Sequence, residues 1–479
     1  MEKVGRLNKN NIKEKLYKFI NSPLYIFIVG LITVISATFA LEVVCFTLLA
    51  LLLVLSFIIS EDTKPVIPIM LTILFAMSYK NGISYNPDRD LPTIYDNKFI
   101  LGYFIFLIVL IIIALIFNFI KYKQYKKLFN RSLIFIPGLI LLSLGYLLGG
   151  IIDFASLNNF LYPFTNVILI VIPFIYFADT AFIDNSKISP IKYLSLIMVM
   201  TTLVIGLEMV HIYLTNDVIQ GFEIIKGNIK NGWGLQNNFA GYFVLSVPFT
   251  VYLILTDKKP LKYYLFLLLT CILVFFTMAR TSYITLLVEL IVSFFVICYV
   301  KKIKIKHILI FLFSLSATLI VIALIFHDEF LKLFNSLIEI GLSLNGREPL
   351  FQIAWDSFMN HPIFGEGWFN ADHIWSDSPY NMDFIPDWKI HNFILQLLGS
   401  TGLFGFICFL AFIYNIFIVN KVKFSVTKLV PSLAIGVLLF TSLGDNFFFD
   451  YTFERYMAIF LVVIGYYYFN NNQEKVLAK

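Results

Sequence analysis

Two arginines and a histidine carry the chemistry this sequence offers: Arg280, Arg347 and His391. Each stands at the edge of an apolar run, and all three fall on one side of a membrane. Guanidinium groups grip phosphate oxygens two at a time and never lose their charge. An imidazole titrates near neutrality, as a general base requires. The trio suits a reaction in which a diphosphate leaves while a hydroxyl attacks. Arg347 precedes Glu348-Pro349, and Asn345 is placed to cap a helix whose first turn holds that proline. At such a start the guanidinium and the free backbone N–H groups can face one anion. His391, beside Asn392, closes the long polar segment before the next apolar run.

A second group of residues is suited to binding rather than bond making. Asn237, Asn238, Trp355, Trp368, Asn392 and Arg455 are the candidate substrate contacts. Each has a plainer alternative. Trp355 and Trp368, with Trp375 and Trp388, form either a sugar-stacking surface or an aromatic belt at the membrane interface. Asn237 and Asn238 also fit an ordinary turn, and Arg455 fits local ion pairs with Asp450 and Glu454. Arg280 could cap a helical hairpin and extend to lipid headgroups. His391 could be a hydrogen-bonded interfacial histidine, and Arg347 a surface cap. Glu42, Glu208 and Glu289, in or near apolar runs, read as polar contacts between helices. Asp88-Arg89-Asp90 is a metal-like pair of carboxylates, but Arg89 between them would repel a cation. No metal site and no cofactor are expected.

The elements that must position these groups follow from composition. The chain has 479 residues, 59% hydrophobic and 14% charged, with mean hydropathy +0.84. A soluble domain is less apolar and carries about 25% charged residues. That excludes a soluble globular protein, a disordered chain and a nucleic-acid binder. Fourteen apolar runs between residues 24 and 469 are long enough for membrane helices. The runs Lys121-Tyr-Lys, Lys301-Lys-Ile-Lys-Ile-Lys and Asn420-Lys-Val-Lys then share one side, the cytoplasmic one. The expected organisation is a cytoplasmic amphipathic segment 1–22, helices one to eleven over 23–326, and a helical extracytoplasmic loop 327–390. Helices twelve to fourteen over 391–469 and a cytoplasmic tail 470–479 complete it. The four cysteines lie in apolar runs without a Cys-x-x-Cys, so neither disulfides nor zinc are expected. No phosphate-binding Gly-x-x-x-x-Gly-Lys-Ser/Thr occurs, so the chemistry is not ATP-driven on this chain.

The ordered motifs resemble those of the O-antigen ligase and O-antigen polymerase family of membrane glycosyltransferases. The resemblance rests on Ala279-Arg280-Thr281, on Gly346-Arg347 before a helix with Trp355, and on His361-Pro362-x-Phe364-Gly365-x-Gly367. His391-Asn392-x-x-Leu395, Gly399 and Gly402-x-x-Gly405 follow, and Asn237-Asn238-Phe239-Ala240 is similar to a further family segment. It covers mainly residues 230–410. It implies an all-α, GT-C-like polytopic protein and a metal-independent, inverting enzyme. The implied donor is an oligosaccharide on a polyprenyl diphosphate, usually undecaprenyl. Arg280 and Arg347 would hold the diphosphate, and His391 would activate the acceptor hydroxyl.

Within that class three functions differ. A polymerase joins lipid-linked repeat units on the outer side of the bacterial cytoplasmic membrane. A ligase passes a finished glycan to a protein or lipid acceptor. A flippase moves lipid-linked glycan without chemistry, and it should show inverted repeats that this chain lacks. The excess of Lys, Ile and Asn suggests an AT-rich genome and a single-membrane cell, which favours the polymerase. The expected partners are the lipid-linked donor, a glycan acceptor and membrane lipids, with a flippase and a chain-length regulator beside them.

Overall fold

The structure is a computed structural model. It describes residues 12–78, 80, 97–149, 157–183, 188–220, 223–303, 306, 348–368, 390–421, 425–445, 447–449 and 451–470. The apolar runs become helices because lipid offers no partner to backbone N–H and C=O groups, which must pair within their own segment.

The helices in chain order are α1 (Ile12–Ile20), α2 (Pro23–Phe39), α3 (Glu42–Ile59), α4 (Val66–Thr72) and α5 (Lys98–Lys121). They continue as α6 (Ile136–Leu148), α7 (Leu157–Thr180), α8 (Pro190–Thr215), α9 (Gln236–Thr256), α10 (Leu261–Phe276) and α11 (Arg280–Val300). After them come α12 (Glu348–Asn360), α13 (Phe393–Lys421), α14 (Val426–Thr441) and α15 (Tyr451–Phe469). Helices occupy thirteen of the fourteen apolar runs; the run 308–326 lies outside the described residues. Among the described residues, seven helices are long and apolar enough to cross a membrane, or eight if α1 and α2, bent by 71°, count as one. Four more apolar helices are shorter. The chain is an all-α polytopic membrane protein. A two-residue hairpin, Ile219–Gln220 against Glu223–Ile224, interrupts the helical pattern.

Helices α8, α9 and α15 form the centre. The α9 span is 89% buried against 11% for α5, which therefore faces lipid along most of its length. Aromatic rings fill the core near the start of α9: Trp233 lies 4.6 Å from Phe75 and 4.8 Å from Phe239, and Tyr242 stacks on Phe453 at 4.4 Å. Glu208 of α8 accepts hydrogen bonds from Trp233 Nε1 at 2.9 Å and Asn231 Nδ2 at 2.8 Å. This carboxylate thereby ties the segment leading into α9 to the centre of the bundle.

The glycine motifs explain the least regular part of the fold. Helix α13 breaks at Gly402, whose φ of 62° and ψ of −164° suit only glycine. The break leaves backbone groups unpaired, and the segment 361–367 supplies them. Leu403 N and Phe404 N donate to the carbonyls of Pro362 and Ile363, both at 2.9 Å. In return Glu366 N and Gly367 N donate to the carbonyls of Gly399 and Ser400, at 2.9 and 3.1 Å. The strap fits because Gly365 has no Cβ; one would lie 2.4 Å from the Ser400 carbonyl carbon. Below the break, α6 approaches closely: a Cβ on Gly145 would sit 3.2 Å from Gly405 Cα. Small residues facing each other are how membrane helices gain packing without a hydrophobic driving force.

Candidate active site

The site begins at a helix start. Asn392 caps α13, its side-chain oxygen accepting from Ile394 N and Leu395 N, both at 3.1 Å. Its amide donates back to the Leu443 carbonyl at 3.1 Å, and Phe393 N donates to Ser442 O at 3.0 Å. The start of α13 is thus stitched to the turn that follows α14. Between these anchors His391 adopts a left-handed backbone, φ 56°. Such a conformation costs about 1–3 kcal/mol and persists where its surroundings over-determine it.

That backbone turns the imidazole toward Asp445. His391 Nδ1 lies 3.1 Å from Asp445 Oδ1, and Asn237 Nδ2 donates to Asp445 Oδ2 at 2.7 Å. An ionised carboxylate only accepts, so Nδ1 is the nitrogen that carries the proton in this contact, and in the neutral imidazole Nε2 is the one left with a lone pair. The Asp445 side chain is 12% exposed and that of His391 28%, so the acid is enclosed while the base remains reachable. Three elements supply this chain of contacts: the first turn of α9, the turn after α14 and the approach to α13.

Arg280 joins the same turn from another side. It is the first residue of α11, half-buried, entered through a left-handed Met278 (φ 56°). The next residue, Thr281, packs so closely on Gly444 that a Cβ there would lie 2.4 Å from Thr281 Oγ1. One turn deeper, the hydroxyls of Thr441 and Thr285 meet at 3.2 Å. Gly444 immediately precedes Asp445, so the start of α11, whose first residue is Arg280, adjoins the turn that carries Asp445. A helix start with a guanidinium is suited to an anion.

The structure therefore brings Asn237 and His391 together on Asp445, and Arg280 stands next in the chain to Thr281, which packs on the neighbouring Gly444. Asn392 is part of the same turn as the cap of α13. Asn238 accepts from Leu235 N at 3.1 Å and so caps α9. Trp355 projects from α12 and is exposed. Trp368 is buried, its indole N–H on the Tyr146 carbonyl at 3.1 Å and its ring edge-on to Tyr146 at 5.3 Å, so it packs inside the bundle. Arg455 is also buried, and its Nη1 donates to the Met70 carbonyl at 2.6 Å, where α4 ends. It faces α4 there, while Glu454 beside it meets Asn166 at 3.0 Å in the amide orientation that satisfies both. Arg347, Asp88, Arg89, Asp90, Trp375, Trp388 and Asp450 lie outside the described residues. Among the described residues, no three His, Cys, Asp or Glu side chains gather closely enough to hold a metal ion.

Asp445 is the residue that sequence reasoning missed. It falls within the stretch 391–469 assigned to helices twelve to fourteen, whereas α14 ends at Thr441. The available signal was Gly444-Asp445-Asn446, three polar or turn-forming residues between two apolar stretches.

A polytopic helical membrane protein with a histidine–carboxylate pair and an arginine at adjoining helix ends has the parts of a group-transfer enzyme. Residues 265–410 match the family model described as O-antigen ligase, and this supports membership of the O-antigen ligase/polymerase family. The matched region holds Arg280, Arg347, Trp355, Trp368, His391 and Asn392, while Asn237, Asn238, Asp445 and Arg455 lie outside it. No curated protein matches the chain.

Proposed function

We propose that this protein is a membrane glycosyltransferase of the ligase type, moving a glycan from a polyprenyl diphosphate to an acceptor hydroxyl. The observation that carries this reading is the Asn237–Asp445–His391 chain beside Arg280. His391 Nε2 takes the proton of the acceptor hydroxyl as its oxygen attacks the anomeric carbon. The bond from that carbon to the diphosphate oxygen breaks, and attack from the opposite face inverts the configuration. Asp445 holds the imidazole in the tautomer that this step needs and balances the imidazolium that forms. Arg280, with Arg347, neutralises the departing diphosphate. Charge stabilisation of the leaving group is the larger contribution, and the base adds about 10²–10⁴-fold. The residues in named roles require no metal.

The same reading places fourteen membrane helices in a GT-C-like arrangement, with both termini cytoplasmic and the His391 end extracytoplasmic. The donor is an undecaprenyl-diphosphate-linked oligosaccharide. Composition favoured a polymerase, but it bears on the organism's genome and not on the acceptor. The family match supports ligase-type transfer, so that reading stands first. The polymerase stands second, because a hydroxyl on another lipid-linked glycan would serve the same His391.

The test is incubation of purified protein in EDTA with a lipid-diphosphate-linked oligosaccharide, alone and with candidate protein or lipid acceptors, followed by a glycan gel. Transfer of one glycan only when an acceptor is present supports the ligase. A ladder from donor alone makes the protein a polymerase. An intact donor under every condition, with or without divalent metal, contradicts the enzyme.

A further inference from the structure

Helix α12 has three separate faces. Leu350, Ile353, Ala354 and Ser357 are buried against α13, where a Cβ on Gly399 would lie 3.0 Å from the Ala354 carbonyl oxygen. Beyond the first turn, where Glu348 is exposed and Pro349 half-buried, two rows spaced four residues apart run along the remaining surface, with half-buried Phe358 against Trp355 at 5.5 Å. Phe351, Trp355 and Met359 make one, with Trp355 46% and Met359 59% exposed. Gln352, Asp356 and Asn360 make the other, and Gln352 donates to Asp356 Oδ1 at 2.9 Å. A helix wholly in water has no reason to sort its exposed surface into an aromatic row and a polar row. A helix at a boundary between lipid and water does.

The depth of α12 agrees with that boundary. A membrane helix needs about 20 residues to cross the hydrocarbon. Counted up from Lys421, the charged end of α13, that length ends at Gly402, where the 361–367 strap crosses. Helix α12 leads directly into the strap and rests on Gly399. Its apolar row also runs on into a lipid-facing surface. Ile363 is exposed and its carbonyl accepts from Phe404 N, which places it beside the exposed Leu403, Ile407 and Leu410 of α13.

We propose that α12 lies along the membrane surface at the His391 end. Its Trp355–Met359 row is sunk among the acyl chains of that leaflet, and its Gln352–Asp356–Asn360 row stays in water. The partner is the lipid leaflet itself. This placement fixes the depth of the strap that completes α13, and it does not depend on the reaction catalysed.

The experiment uses the full chain reconstituted in vesicles of phosphatidylethanolamine and phosphatidylglycerol. The four native cysteines are replaced by alanine, and spin labels are attached to Met359→Cys, Asn360→Cys and Leu410→Cys. The Met359 label should collide with oxygen more than with a water-soluble nickel reagent, as the lipid-facing Leu410 label does. The Asn360 label should show the reverse. A Met359 label that tracks Asn360 overturns the proposal, and so does one shielded from both reagents, which would mean a protein partner or second copy covers the row. A second measurement leaves the cysteines in place: lipids brominated on their acyl chains should quench a fraction of the tryptophan fluorescence that Trp355→Phe removes. Equal quenching of the two proteins also overturns the proposal.

Discussion

The imidazole of His391 and the carboxylate of Asp445 meet at 3.1 Å, although 54 residues separate them in the chain and they belong to different helix ends. The contact fixes which imidazole nitrogen carries a proton, and so which one can take a proton from a substrate. Asn237 on a third helix holds the far oxygen of the same carboxylate. Each contact can be removed by itself, and the consequences differ.

Asp445→Asn should lower kcat by about 10²–10⁴-fold, the range of a lost general base. An asparagine amide would donate to Nδ1, moving the imidazole proton to Nε2 and blocking the base. Affinity for the lipid-linked donor should stay within a few-fold of the original. Single-turnover transfer with separate donor-binding measurements distinguishes the two; loss of both would mean that Asp445 merely holds the fold.

Asn237→Ala removes one hydrogen bond to a charged acceptor, worth about 1.5–3 kcal/mol. The expected loss in kcat is smaller than for Asp445→Asn, since Asp445 still faces His391. If Asn237 instead touches substrate, the variant should raise KM and leave kcat unchanged, so steady-state kinetics decides between the roles.

Arg280→Lys keeps the charge but loses the planar fork that matches phosphate oxygens. Donor affinity should fall by at least about tenfold, on the scale of one charge-assisted hydrogen bond. Titration with the intact donor and with free polyprenyl diphosphate should show the same loss for both. Unchanged binding of both ligands would remove Arg280 from the diphosphate site.

Gly402→Ala should destabilise the protein by at least about 1–3 kcal/mol, because its backbone angles suit only glycine. The added Cβ would also lie 2.5 Å from the Ile363 carbonyl carbon in the strap. Gly436→Ala on α14 is the control, since its Cβ meets nothing within 4 Å. Thermal unfolding in detergent should separate the two clearly.

The helices were legible in the sequence because hydropathy alone dictates them: an uninterrupted apolar run must pair its backbone internally. Helix ends were less legible, and the error mattered most where α14 stops at Thr441 and frees Asp445 to face His391. Arg280 and His391 could be chosen by residue type and position. That their helix ends adjoin depends on Gly444 admitting Thr281, a contact between distant segments with no local signature. The His361–Gly367 motif is legible in the sequence only as part of a family resemblance. Its use as a strap depends on the break at Gly402, which periodicity does not reveal. Trp368 shows the same limit from the other side: a tryptophan suited by type to sugar stacking is enclosed by Tyr146 and α13.

Proton transfer at His391 is the central claim, and His391→Ala tests it most directly. The purified variant is mixed with lipid-diphosphate-linked oligosaccharide and an acceptor that supports transfer by the unaltered protein, and bound donor and transferred glycan are both measured. The account predicts that donor binds with nearly unchanged affinity while transfer falls by about 10²–10⁴-fold. Transfer at the original rate would contradict it.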